Sequence, residues 1–116
     1  MSNHEKINYI ELPAKDIEKI KTFFNQALGW DFVDYGPEYV AFNGAGIDGG
    51  FYQSNLSCST KNGSALVVLY SNALEQTQEK IETCGGTIIQ PIFSFPGGRR
   101  FHFSDPNGNE YAVWSE

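Results

Sequence analysis

The sequence contains the same order of predicted elements twice, and this repeat constrains the fold more than any other feature. In each half a short apolar strand leads into a helix, and three β-like segments follow. The residue predicted to cap each helix lies thirteen positions before the glycine that ends it, from Asp16 to Gly29 and from Asn72 to Gly85. The two halves match poorly in identity, so the repeat rests on period and element order. We therefore predict two β-α-β-β-β units.

The first unit is predicted over about residues 6–53. Residues 7–12 form an apolar run with a β-branched bias that ends at Pro13, which is typical of a strand. Asp16 can cap the following helix through its carboxylate, and Gly29 can end it in a left-handed conformation. Strands are predicted over 30–35, 39–43 and 47–53. One apolar face of the helix is formed by Ile17, Ile20, Phe23, Phe24, Ala27 and Leu28.

A polar loop over 54–63 connects to the second unit, which is predicted over about residues 64–116. Residues 65–70 form a strand that is apolar on both faces. Asn72 and Glu75 have the spacing of a capping box, and Gly85-Gly86 ends the second helix. Strands over 87–95, 99–104 and 109–115 complete a single α+β domain, residues 1–116.

Composition excludes several classes of protein. The net charge is -6 and the pI is near 4.8, which argues against a phosphate-binding surface and a nucleic-acid partner. No run approaches the roughly 18 apolar residues of a membrane span, and the N-terminal residues include no apolar stretch of the kind a signal peptide needs, so we expect none. Cys58 and Cys84 form no CxxC motif and are expected to be reduced thiols. A cytoplasmic protein without a membrane or nucleic-acid partner is predicted.

Two motifs resemble those of a known family. The segment Asp16-Ile17-Glu18, followed by Phe23-Phe24 and Leu28-Gly29-Trp30, resembles the opening signature of the vicinal oxygen chelate superfamily, the glyoxalase and bleomycin-resistance fold. The segment 103–110, with Asp105-Pro106-Asn107-Gly108 at its centre, resembles the final hairpin of that family, and 97–103 is similar to an uncharacterised glyoxalase-like bacterial branch. The resemblance implies a cup-shaped mixed sheet, a homodimer, and a site at or near the subunit interface.

The same resemblance allows the metal ligands of the family to be placed residue by residue. Metal-dependent members use His and Glu on cup-facing strand positions. Those positions fall on Tyr9, Leu66 and Ala112, and the fourth falls near Gly50 and Phe51. None of these side chains is a typical ligand of a divalent ion. We therefore expect no metal site and no cofactor, although an improvised site that includes Glu11 and His102 stays open.

Strand alternation indicates which side chains line the cup. If Ile10 and Leu12 face the helix, then Tyr9 and Glu11 face the cup. A carboxylate among apolar strand residues is costly to bury, and burial would raise the pKa of Glu11 toward that of a general base. The alternative is that Glu11 forms an ion pair at a sheet edge or an interface.

Three residues on one later strand are further candidates. Arg99 and Arg100 must point to opposite faces, and one of them could bind a carboxylate or enolate oxygen or pair with Glu11. His102 shares a face with Arg100 and is a candidate acid or base. Structural pairing of the arginines and a hydrogen-bonded structural histidine are the alternatives. For the arginines, the sequence leaves open which of the two faces the cup.

Aromatic side chains could form the walls of the same cup. Tyr9, Tyr52, Tyr70 and Trp114 are candidates for stacking on a planar or apolar ligand, with core packing as the alternative. The leading hypothesis is a homodimeric, metal-independent protein that sequesters a small molecule, or an isomerase or lyase with Glu11 as base. The alternatives are a metal-dependent lyase that resembles lactoylglutathione lyase and a non-catalytic interaction module. The sequence does not identify the ligand.

Overall fold

The computed structural model describes residues 3–116. Met1 and Ser2 lie outside the described residues. They begin the N-terminal segment for which no signal sequence was predicted. Two β-α-β-β-β units follow one another, which confirms the predicted α+β fold. The elements are β1 Tyr9–Ala14, α1 Ile17–Leu28, β2 Asp31–Asp34, β3 Tyr39–Asn43, β4 Asp48–Gln53, a 3-10 helix Thr60–Asn62, β5 Val67–Tyr70, α2 Leu74–Thr83, β6 Thr87–Phe95, β7 Gly98–Ser104 and β8 Glu110–Ser115. No helix of the described chain is long and apolar enough to span a membrane.

Each unit forms its own four-stranded mixed sheet, and the two sheets have equivalent topology. The strand orders are β1-β4-β3-β2 and β5-β8-β7-β6. In each sheet the first and last strands of the unit pair in parallel, while the remaining pairs are antiparallel. The strands β1 and β5 are therefore edge strands in equivalent positions.

The first strand continues past Pro13, where the sequence had predicted its end. Pro13 pairs with Tyr52 and Ala14 pairs with Gln53 in the parallel ladder between β1 and β4. Because β1 is an edge strand, the missing N–H of proline can face the unpaired side without a lost ladder bond. The prediction that Pro13 ends the strand was wrong for this reason.

The helix boundaries agree with the sequence at one helix and differ at the other. The Asp16 carboxylate accepts a hydrogen bond from the Lys19 backbone N–H at 3.2 Å, and Gly29 has φ of 74°, as predicted. The second helix has Ala73 as its N-cap residue and no side-chain capping bond, so the predicted Asn72 capping box was wrong. Instead, Ser71 Oγ accepts from the Ala73 backbone N–H at 2.9 Å and bonds to Thr77 Oγ1 at 2.7 Å.

One hydrophobic core lies between the inner faces of the two sheets and contains helix α1. The Phe24 ring stacks on Trp30 at 4.4 Å and lies 5.6 Å from the ring of Phe51 in the first sheet. On the other side it meets the edge of Tyr111, in the second sheet, at 5.5 Å. The Phe23 ring also approaches Phe103, with centroids 6.2 Å apart. Helix α1 is therefore shared by both units.

The shared core leaves one outer face on each sheet, turned away from the core. Leu12 and Ala14 are buried in that core, so alternation places Tyr9 and Glu11 on the outer face of the first sheet. Phe101 and Phe103 are buried likewise, so Arg100 and His102 lie on the outer face of the second sheet. Large apolar side chains on these faces remain exposed, including Tyr9, Val33, Val68 and Tyr70.

Candidate functional site

The outer face of the second sheet brings together several of the residues predicted for a site. Arg100 pairs with Trp114 across the antiparallel ladder of β7 and β8, and His102 pairs with Ala112. Phe93 of β6 pairs with Arg100 on its other side. Residues opposite one another share a face, so the charged and aromatic side chains converge at the centre of this sheet. We call this set, Arg100, His102, Phe93, Phe95 and Trp114, the second-sheet cluster.

His102 is held by a buried carboxylate. Its Nδ1 lies 2.8 Å from Glu110 Oε2, and the side chains of the two residues are 12% and 7% exposed. Thr60 donates to Glu110 Oε1 from both its backbone N–H and its hydroxyl, at 2.9 Å each. Burial tends to raise the pKa of Glu110, but the hydrogen bonds from His102 and Thr60 outweigh it and lower that pKa. The carboxylate is thus favoured in its charged form and fixes the imidazole ring.

Arg100 has aromatic neighbours but, within residues 3–116, no hydrogen-bond acceptor. Its guanidinium carbon lies 5.5 Å from the ring centroid of Phe93 and 5.8 Å from that of Phe95. Its Nε is buried without a hydrogen-bond partner in the described chain. Such a buried donor is uncommon in native proteins, because an unmade hydrogen bond leaves the desolvation penalty uncompensated.

The neighbouring Arg99 lies on the opposite face and does not join the cluster. Its guanidinium donates to both oxygens of the Glu75 carboxylate on α2, at 2.5 and 3.2 Å. The hydrogen bond and the attraction of the opposite charge raise the pKa of Arg99, and the same hydrogen bond lowers that of Glu75. The structural pairing considered for the arginines therefore applies to Arg99, and Arg100 is the arginine on the outer face.

The outer face of the first sheet carries a second, separate polar group. The Tyr39 hydroxyl donates to Glu11 Oε2 at 2.9 Å and lies 2.6 Å from the Tyr9 hydroxyl. Burial, followed by the hydrogen bonds to Tyr9 and Glu11, raises the pKa of Tyr39 well above its ordinary value. Glu11 is exposed in this chain. The sequence argument for Glu11 as a base assumed that its carboxylate is buried, and that assumption was wrong. We call Tyr9, Glu11 and Tyr39 the first-sheet group.

No hydrogen bond, ion pair or ring contact within residues 3–116 joins the first-sheet group to the second-sheet cluster. Tyr52 lies on the outer face of the first sheet and pairs with Tyr39. Tyr70 lies on the outer face of the second sheet, where its ring meets the edge of Trp114 at 5.2 Å and its hydroxyl donates to Glu116. Apart from Arg99, the predicted site residues are therefore divided between the outer faces of the two sheets.

The positions that correspond to the metal ligands of the family do not fit a metal ion. Tyr9, Leu66 and Ala112 offer no typical donor set, and a side chain added at Gly50 would collide with the Tyr39 hydroxyl and the Val40 carbonyl. No group of three or more His, Cys, Asp or Glu residues able to hold a metal ion is present in the described chain. The chemistry of these side chains therefore disagrees with a metal centre of the family's type.

Sequence reasoning missed two residues that organise the site. Glu110 lies two positions before Ala112 on β8, so strand alternation alone places it on the outer face with His102. Tyr39 begins β3, and nothing local in the sequence shows that its hydroxyl reaches Glu11. The position of Glu110 could therefore have been predicted from strand alternation, whereas that of Tyr39 depends on the pairing of β3 with β4.

Two cavities contain no member of the first-sheet group or the second-sheet cluster, although Tyr70, which contacts Trp114, lines the second of them. A groove of about 820 Å³ with mixed polar and apolar walls runs between α1 and the final hairpin and is lined by residues such as Asp16, Phe23, Cys84 and Asn107. An apolar cleft of about 430 Å³ lies between the two units, and its lining includes Leu12, Trp30, Phe42, Leu69 and Tyr111. Neither cavity contains Arg100, His102 or Glu11.

Comparison with known proteins agrees with this architecture. The model of the Glyoxalase/Bleomycin resistance protein/Dioxygenase superfamily matches residues 6–113. The chain belongs to this superfamily. No curated protein matches the sequence significantly.

Solved structures with the same fold have low sequence identity to this chain. A hypothetical protein from S. aureus has 19% identity and a TM-score of 0.76, with 97% of this chain and 94% of that chain covered. A fosfomycin resistance protein from Listeria monocytogenes has 16% identity and a TM-score of 0.78, with 97% and 93% covered. An antibiotic binding protein from Streptomyces has 17% identity and a TM-score of 0.71, with 99% and 98% covered. At these identities the likeness concerns the fold alone.

Proposed function

We propose that this protein binds a small aromatic organic anion at the second-sheet cluster, without a metal ion. The observation that carries the proposal is the Arg100 guanidinium, which lies over two aromatic rings and has a buried Nε with no acceptor. A carboxylate oxygen from a ligand would supply the missing acceptor, and charge-assisted hydrogen bonds of this kind are strong. Phe93, Phe95 and Trp114 offer apolar surface for the rest of the ligand.

The names of related structures support a small-molecule role in general terms. Fold neighbours include an antibiotic binding protein and a fosfomycin resistance protein. Metal-independent binding is supported by the residues at the family's ligand positions, Tyr9, Gly50, Leu66 and Ala112, which offer no ligand set. The free thiols of Cys58 and Cys84 suit a reducing compartment, and we propose the cytoplasm as the location.

We further propose a homodimer in which the outer face of one chain's first sheet covers the second-sheet cluster of the partner. Exposed apolar side chains on both faces, Tyr9, Val33, Val68 and Tyr70, would be buried by this contact. The two faces also have complementary charge. Glu11, Asp31 and Asp48 lie on the first sheet, and Arg100 lies on the second. In this arrangement Glu11 and Tyr52 line the completed cup.

Ligand binding is tested by titration with cinnamate, an aromatic carboxylate, against cinnamamide, its neutral analogue, with Trp fluorescence as the readout. We expect cinnamate to bind, and Arg100→Gln to weaken binding by about 10- to 100-fold, as for the loss of a charge-assisted hydrogen bond. Arg99→Gln is the matched control, since Arg99 points to the other face, and should leave binding unchanged. Equal affinity for cinnamate and cinnamamide, or for Arg100→Gln and the wild type, would contradict the proposal.

Metal independence and dimerisation are tested on the same preparation. After dialysis and re-equilibration with zinc, nickel, manganese or iron, elemental analysis should find no stoichiometric metal, and one ion per subunit would overturn metal independence. The native mass should correspond to a dimer. Val68→Glu should dissociate it, whereas Leu56→Glu, at an exposed loop position, should not. A monomeric wild type would refute the proposed dimer.

A further inference from the structure

The arrangement around His102 leaves one of its ring nitrogens available. Nδ1 bonds to Glu110 Oε2, while Nε2 makes no hydrogen bond within the described chain, and the side chain keeps 12% of its surface exposed. A carboxylate that accepts from Nδ1–H fixes the tautomer in which Nε2 carries the free lone pair. In that tautomer, Nε2 is able to accept a proton from a molecule bound on the outer face.

Arg100 lies two residues before His102 on β7 and on the same face of the sheet. Residues two apart on a strand project from the same face, with Cα atoms about 7 Å apart. The Phe93 ring contacts both side chains, with its centroid 5.5 Å from the Arg100 guanidinium carbon and 5.9 Å from the His102 ring centroid. An aromatic ligand lying against this cluster would thus place an anionic group at Arg100 and a neighbouring carbon near Nε2.

We propose that the second-sheet cluster catalyses keto–enol proton transfer on aryl 2-oxo carboxylates, with His102 as the catalytic base. The inference rests on the proposed function, because it assumes that an aromatic carboxylate binds at Arg100. It goes further in naming the substrate class and the reaction.

The step requires no oxidant, reductant or cofactor. His102 Nε2 takes a proton from C3 of the substrate as the C3–H bond breaks. The electron pair forms the C2–C3 double bond while the carbonyl π bond moves onto oxygen. The Arg100 guanidinium and the imidazolium formed on His102 together offset the negative charges of the carboxylate and the enolate. The imidazolium then returns the proton to the enolate oxygen, which gives the enol. Atoms and charge are conserved, and the reverse path returns the keto form.

Glu110 acts in this scheme as a positioning residue. It does not contact the substrate; it accepts the Nδ1–H bond and stabilises the imidazolium form of His102. Thr60 in turn holds the other carboxylate oxygen with two hydrogen bonds. The alternative is that this buried set only stabilises the fold, and the variants below distinguish the two roles.

The test uses phenylpyruvate with the full-length protein. Exchange of the C3 protons in D2O is followed by NMR, and binding is followed separately by Trp fluorescence. Wild type should accelerate exchange, and His102→Asn should reduce the acceleration by about 100-fold or more, the usual contribution of a general base. The asparagine amide can still donate to Glu110, so folding and phenylpyruvate binding should persist. His102→Gln is a second variant in case the first does not fold.

His4→Gln is the matched control for the other histidine, whose side chain is 80% exposed in the N-terminal segment, and it should exchange at the wild-type rate. Glu110→Gln should lower kcat for exchange with little change in KM. Replacing a residue that only stabilises the fold would not lower kcat selectively. Phenylpyruvate binding without accelerated exchange would overturn the proton transfer while leaving the proposed function intact. Failure of both cinnamate and phenylpyruvate to bind would overturn both.

Discussion

The side-chain Nδ2 of Asn109 donates a hydrogen bond to the backbone carbonyl of Pro13 at 2.8 Å, across 96 positions of sequence. The same amide donates to Asp105 Oδ2 at 3.0 Å, and its Oδ1 accepts from the Cys58 backbone N–H at 2.8 Å. The final hairpin of the second unit is thereby fastened to the first strand of the first unit. The motif that identified the family thus also connects the two units.

Asn109→Ala should destabilise the protein strongly. The change leaves the part-buried Cys58 N–H without its partner and removes the buried links to Pro13 and Asp105, so we expect a loss of about 2–4 kcal/mol in the free energy of unfolding. Urea denaturation measures it, with the exposed Asn43→Ala as control. A loss below about 1 kcal/mol would show that Asn107, which also donates to Pro13, is sufficient on its own.

The Glu110 carboxylate should make stability sensitive to acid. Its pKa is lowered in the folded protein from the ordinary value of 4.5, so its stabilisation is present above that value and is lost as the pH falls through the lower folded pKa. Denaturation midpoints between pH 7 and 3 should therefore fall more steeply for the wild type than for Glu110→Gln. Parallel curves for the two proteins would contradict this linkage.

Replacing the two neighbouring arginines by methionine should affect stability differently, with a loss for Arg99→Met and none for Arg100→Met. Arg99→Met removes an exposed ion pair with Glu75, which solvent screens, and should lower the stability only slightly. Arg100→Met removes two cation–π contacts but also relieves a buried donor without a partner, so we expect no loss or a gain of up to about 1 kcal/mol. A loss above about 1 kcal/mol for Arg100→Met would show that Arg100 serves mainly the fold. Thermal and urea denaturation of both variants provide the measurement.

Gly50→Ala should disturb the first-sheet group. The new Cβ collides with the Tyr39 hydroxyl and the Val40 carbonyl, so we expect a loss of about 1–3 kcal/mol. In a Tyr39→Ala background the same change should cost less, because one of the two clashes is absent. Urea denaturation of the four proteins forms a double-mutant cycle. Fully additive effects would indicate that Tyr39 does not occupy the space beside Gly50.

The sequence by itself determined the two-unit organisation, since periods of two and three to four residues reflect local backbone geometry. The sequence also showed that the family's metal-ligand positions hold Tyr9, Leu66 and Ala112. Locating these positions requires only counting residues from the motifs. The first helix was bounded correctly at Asp16 and Gly29 because those caps act through adjacent backbone groups. At the second helix the Asn72 cap failed, because Ser71 bonds to the same turn instead.

Tertiary structure decided which face of a sheet each polar side chain occupies and which side chain it bonds to there. Alternation required Arg99 and Arg100 to diverge, but only packing of α2 against the second sheet assigned Glu75 to Arg99. The link from His102 to Glu110 depends on hairpin register, and that from Tyr39 to Glu11 on strand order. These contacts join residues on different elements, so no local propensity encodes them. They arise when the strands of each sheet pair and α2 packs on the second sheet.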